Sequence, residues 1–60
     1  MKIYEEKRGY VVHEVSDYNG MHTVTLKSAA GEVKDKMRCD TASQAHDYVR
    51  AFRKIAKVQS

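Results

Sequence analysis

The apolar residues of this chain change period near residue 40, and that change limits its possible folds more than any other feature. In "MHTVTLKS" (21–28) and "EVKDKMRC" (32–39), apolar and polar residues alternate, as in a strand with one buried face. Val24 and Leu26 point one way, and Thr23, Thr25 and Lys27 the other. Further on, Ala45, Tyr48, Val49, Phe52, Ile55 and Ala56 recur at spacings of three and four, the stripe of an amphipathic helix. A sheet with one apolar face followed by a helix with one apolar stripe has one compact solution, in which the stripe covers the face.

The rest of the chain fits that plan. "YVVHEV" (10–15) is rich in β-branched and aromatic residues and reads as a strand. "SDYNG" and "AAGE" supply turns, with Asn19-Gly20 and Gly31 offering positive φ. Thr41 with Gln44 three residues later is a capping box, in which each side chain satisfies the other's backbone N–H. The expected fold is α+β: a three-stranded antiparallel meander (β-β-β) packed on one C-terminal α-helix. Its strands fall at about 10–15, 22–28 and 32–39 and its helix at about 42–57, in a single small domain over 1–60. The expected core is Val24, Leu26, Val33, Met37, Val49, Phe52 and Ile55, with Val11 and Val15 preferred from the first strand over Tyr10 and Val12. Asp35 interrupts the inner face of the third strand and belongs near its edge. For residues 1–9, an added edge strand around Ile3 and Tyr4 and a loose arm both remain open.

A chain of 60 residues buries only about 60% of its unfolded surface, so it is stabilised by little. One cysteine excludes an internal disulfide and points to a reducing, cytoplasmic setting. No leader-like apolar run follows Met1, and nothing approaches the ~20 apolar residues of a membrane span, so no membrane is expected. The intact Met1 and unbroken pattern fit a complete small gene product. Eleven Lys and Arg against eight Asp and Glu give a net charge of +3, which permits an anionic partner without requiring one.

The cations occupy two broad surfaces. On the sheet face away from the helix, Lys34, Lys36 and Arg38 stand two residues apart, about 6.6–7 Å per step, close to the separation of successive phosphates. Lys27, Thr23 and Thr25 flank them on the next strand. On the helix, Arg50, Arg53, Lys54 and Lys57 lie almost opposite the apolar stripe, with His46 beside them. They are secondary candidates for contact with a phosphate backbone. Both surfaces also have a plainer reading: an antiparallel sheet must show a polar face, and late cations complement a helix dipole.

The strand "GYVVHEV" and the helix start "DTASQA", with Thr41 and Ala45, carry a resemblance of pattern over about residues 9 to 56. A three-stranded sheet followed by one helix resembles the N-terminal arm-binding domains of phage integrases, which in turn resemble plant ethylene-response DNA-binding domains. The resemblance implies that the exposed sheet face enters a DNA major groove. Where those families carry arginine or tryptophan on the reading strands, the first strand here has His13 and Glu14. Double-stranded-RNA-binding domains share the β-β-β-α order, but their leading helix and final lysine pair are missing here, so DNA is expected ahead of RNA.

No set of residues points to an enzyme, a cofactor or a metal. His13, His22, Cys39 and His46 are competent zinc ligands, but they form no C-x-x-C or H-x₃-H pair. Cys39 reads as a small buried hydrophobe. "DYNG" opens like a calcium loop, yet the twelfth position from Asp17 is Ser28. A domain this small has little room for the ~300 Å³ cleft that substrates need. Two functions follow. One is a non-enzymatic DNA-binding module; the other is a small phage- or mobile-element-type protein that binds and modulates a larger host protein. For the second, the sheet edge, the arm at Glu5–Arg8 and the loop at Tyr18 are candidate contacts. Tyr18 either projects to stack on a partner or folds back over the sheet edge. An uncovered edge also leaves homodimerisation open.

Overall fold

The computed structural model describes residues 1–58, arranged as β1 (Lys2–Glu6), β2 (Gly9–Val15), β3 (His22–Ser28), β4 (Val33–Cys39) and α1 (Ala42–Val58). The strands form one antiparallel sheet in the order β1-β2-β3-β4, each beside its neighbour in sequence. The fold is α+β with a single C-terminal helix. Its sheet has four strands where the sequence led to three, because Lys2–Glu6 pairs fully with β2, Ile3 opposite Val12 and Tyr4 opposite Val11.

The helix explains how β1 stays in place. The β1–β2 turn is Lys7-Arg8 alone, between the paired residues Glu6 and Gly9. Tight hairpins favour positive φ, yet among the described residues only Gly20 and Gly31 adopt it, and neither lies in this turn. Tertiary contacts hold the hairpin instead. The Arg8 N–H donates to the Ala56 carbonyl at 2.9 Å, filling one of the acceptors left open at a helix C-terminus. Arg53 Nε donates to Glu6 Oε2 at 2.6 Å, and the same guanidinium lies 5.1 Å from the centre of the Tyr4 ring.

The other turns rest on local chemistry. Gly20 (φ 69°) ends the β2–β3 loop, where Asn19 Oδ1 accepts from the Met21 N–H at 3.0 Å. Gly31 (φ 90°) bends the β3–β4 loop and donates to the Ser28 carbonyl. Thr41 Oγ1 accepts the Gln44 N–H at 3.2 Å and so caps α1.

Paired residues in antiparallel strands share a face, so the register sorts the sheet. On the helix side, Val11, Val24, Leu26 and Cys39 meet Ala45, Val49, Phe52 and Ala56 in one buried cluster, with Tyr4, Met37 and Tyr48 packed against it. Val11 and Val24 have no exposed surface at all.

Three expected core residues lie outside this cluster. Val33 is 59% exposed because β4 carries a bulge: Leu26 pairs with Asp35 but Lys27 with Val33, leaving Lys34 as the extra residue. The bulge reverses the alternation, so Val33 shares Lys27's face instead of Met37's. Ile55 is 39% exposed, as it sits roughly 90° round the helix from the centre of the buried stripe at 100° per residue. The small Ala45 and Ala56 occupy that centre and bring the helix close to the sheet. Val15 shares the face of Val11 but lies at the end of β2 and is 49% exposed.

Candidate nucleic-acid interface

The sheet face that α1 does not cover is built from three cross-strand rows. One runs Glu14–Thr23–Arg38, the next Ile3–Val12–Thr25–Lys36, and the third Glu5–Tyr10–Lys27–Val33. Its charges divide by strand. Lys27, Lys36 and Arg38 stand on β3 and β4, whereas Glu5 and Glu14 stand on β1 and β2. Arg38 and Glu14 are two strands apart, about 10 Å, and among the described residues no ion pair joins them. Among the described residues, neither Lys36 nor Arg38 is in an ion pair.

The candidate residues of this face are not equally available. Lys36 and Arg38 are exposed, while Lys27 and Thr23 are half-buried. The Lys27 ammonium lies 5.9 Å from the centre of the Tyr10 ring, which holds it along the face. Thr25 is 6% exposed and Val12 7%, so the middle of the face is a sealed seam and Thr25 offers no free hydroxyl to a partner. Lys34 is exposed on the bulge, outside the regular two-residue spacing of Lys36 and Arg38.

The helix cations are a mixed group. Arg50 forms an ion pair with Asp47 one turn earlier, and Arg53 turns back to Glu6 on β1. Arg53 lies roughly 70° from the stripe's centre at 100° per residue, within reach of β1, so it does not point directly away from the sheet. Lys54 and Lys57 join these two arginines and Glu6 around a shallow groove of about 340 Å³. A second open groove, about 400 Å³, lies between β1 and β2 along Ile3, Glu5 and Tyr10. Both exceed the size expected of so small a domain, but they are surface depressions that leave an occupant largely in water.

The sequence leaves one feature open and hides another. Tyr18 is 91% exposed, so the loop tyrosine projects and does not fold back. His13, His22 and His46 also come together at the helix start, although their spacing in sequence gave no sign of it. His13 Nε2 is 3.0 Å from His22 Nδ1, and the rings of His13 and His46 meet edge-on at 5.8 Å. His13 and His22 are diagonal neighbours on the inner sheet face, since His13 pairs with Val24 and His22 with Val15. Alternation in both strands held that signal, but only the register reveals it.

His13 is 8% exposed and its pKa is lowered, first by burial and then by the nearby His22 and His46, with the N-terminus and Lys2 adding to the effect. Cys39, opposite His22, is buried in the core. Among the described residues, no group of three His, Cys, Asp or Glu side chains is disposed to hold a metal ion. No helix among them is long and apolar enough to cross a membrane.

These features define a small α+β domain whose uncovered sheet face is basic along one half. No family model, curated protein or solved structure gives a significant match to this chain.

Proposed function

We propose that this protein is a non-enzymatic nucleic-acid-binding module that holds a phosphate backbone along the β3–β4 half of its open sheet face, with DNA favoured over RNA. The observation that carries this reading is the segregation of charge: Lys27, Lys36 and Arg38 share one half of a face that no helix covers, and the carboxylates stand on the other half. Lys36 and Arg38 are one strand repeat apart, about 6.6–7 Å, a spacing suited to successive phosphates. Thr23 stands opposite Arg38 and adds a hydroxyl donor. The acidic half repels the same backbone, so the nucleic acid runs along the β4 side and does not cross the whole sheet. Lys54 and Lys57 are secondary contacts at most, because they lie on the far side of the molecule.

The deciding experiment is an NMR titration of the labelled protein with a random DNA duplex at about 50 and then 200 mM salt, where several phosphate contacts weaken visibly. Shifts confined to residues 23–38 that fade with salt support the reading. Absence of shifts at low salt overturns it.

A second reading, a small protein that docks on a larger one, is favoured by Tyr18, whose 91% exposure at a loop tip suits an anchoring aromatic. Shifts confined to residues 15–21 on adding a protein partner distinguish it from the first.

A further inference from the structure

We propose that His13, His22 and His46 form an acid-sensitive latch, which holds the first turns of α1 against the sheet at neutral pH and releases them as the pH falls towards ~5, the lower end of the range in which histidines change charge.

The three imidazoles come from three different elements, β2, β3 and α1, and meet where the helix begins. The contact between His13 Nε2 and His22 Nδ1, at 3.0 Å, requires one nitrogen to carry a proton and the other to accept it. The pair therefore bonds when neutral or singly protonated. When both rings are charged, each of these nitrogens bears a hydrogen, and the contact becomes a repulsion between cations. His46 places a third ring edge-on to His13 and is one of the groups that lower the pKa of His13.

Nothing among the groups facing His13 relieves that charge. From β1 comes Lys2, directly opposite in the register, and beside it the N-terminal ammonium. From β3 comes His22, and from α1 His46. β4 contributes Cys39, the register partner of His22, a buried free cysteine of the core. All the charged groups that act on His13 lower its affinity for a proton.

The sign of the pH effect follows. In the unfolded chain His13 takes up its proton near the ordinary histidine value of about 6.5; in the fold it resists. Folding therefore releases a proton below that pH. The stability is intact above about pH 6.5 and declines as the pH falls towards the lower, folded-state value.

The loss is local because the two ends of α1 are held by different chemistry. At the C-terminal end, the Arg8–Ala56 hydrogen bond and the Arg53–Glu6 pair contain no histidine. At the N-terminal end, the imidazole cluster includes His46, which follows the buried Ala45 in the chain and meets His13 edge-on.

The test is amide hydrogen exchange of the full chain by NMR between pH 7.5 and 5, corrected for intrinsic exchange, for the parent and for His46→Gln and His22→Gln. His46 is exposed, so its variant folds whether or not the latch exists. In the parent, protection of amides 45–49 should drop about tenfold or more relative to amides 53–56. The drop should shrink in each variant. Equal loss at both ends of α1, no loss in the parent, or an unchanged profile in both variants overturns the proposal.

Discussion

Arg53 reaches from the helix to Glu6 on β1, Nε to Oε2 at 2.6 Å, and ties the first strand to the last element of the chain. Glu6 is mostly covered, its side chain 13% exposed, whereas that of Arg53 is 46% exposed and open to competing water. A pair of this kind contributes on the order of 1 kcal/mol. Replacing Glu6 with Gln should lower stability by about that amount in urea denaturation. Exchange of the β1 amides should accelerate more than that of β3, since β1 depends on the helix and β3 is paired on both sides. Equal acceleration in both strands would show that the pair does not anchor β1 in particular.

Gly9 is irreplaceable for a steric reason. Its position is buried, and a β-carbon there would run into the backbone carbonyl of Lys27 across the β2–β3 pair. Gly9→Ala must force the strands apart, at a cost of about 2 kcal/mol or more. In a domain of this size that lowers Tm by roughly 10 °C, readable in a thermal melt. Gly20→Ala offers a contrast: its β-carbon meets nothing, and only the positive φ of 69° opposes it. The melting point should fall less there than at Gly9.

What the sequence revealed and what it concealed follow from the range of the forces involved. Alternation in 22–28 and the stripe from Ala45 to Ala56 are local patterns imposed by burial, so β3 and α1 could be read directly. The N-terminal hairpin could not. Lys7-Arg8 carries no turn signature, and its partners Arg53 and Ala56 stand more than forty residues away. Val33 departs from the alternation for a related reason. A single bulged residue reverses the side-chain alternation beyond it, and nothing in "EVKDKMRC" marks where the bulge falls. For the candidate interface, Lys27, Lys36 and Arg38 were legible from alternation alone. The covering of Thr25 was not, since it depends on Val12 and the adjoining strand β1.

Cys39 offers a probe of the whole fold. Its side chain is 2% exposed within the core cluster, under the helix start. A thiol reagent must wait for α1 to leave the sheet before it can react. Labelling of the native protein should therefore be slower than that of the unfolded chain in urea by the factor set by opening, and Thr41→Ala should speed it. Loss of the Thr41 cap costs about 1 kcal/mol, which corresponds to roughly a fivefold increase in labelling rate when opening is a rapid equilibrium. A rate independent of the cap would mean that reagent reaches Cys39 without movement of the helix.

The salt dependence of binding separates the two basic surfaces. Each phosphate contact on a duplex contributes about 0.9 to the slope of log affinity against log salt. If Lys36 and Arg38 each meet a phosphate, then Lys36→Ala and Arg38→Ala should each weaken binding and reduce the slope by close to one. The double substitution should remove about twice as much, because the two contacts are independent charges on one strand. Lys54→Ala with Lys57→Ala removes the same total charge from the far surface, next to Glu6 and the paired arginines. Its effect should be small, since those lysines act only through the net field and salt at ~0.15 M screens charges beyond about 8 Å. The two double variants have equal net charge, so any difference between their slopes measures position and not total charge. Equal slopes would show that the nucleic acid does not distinguish the sheet face from the helix face, and the proposed interface on β3 and β4 would then be wrong.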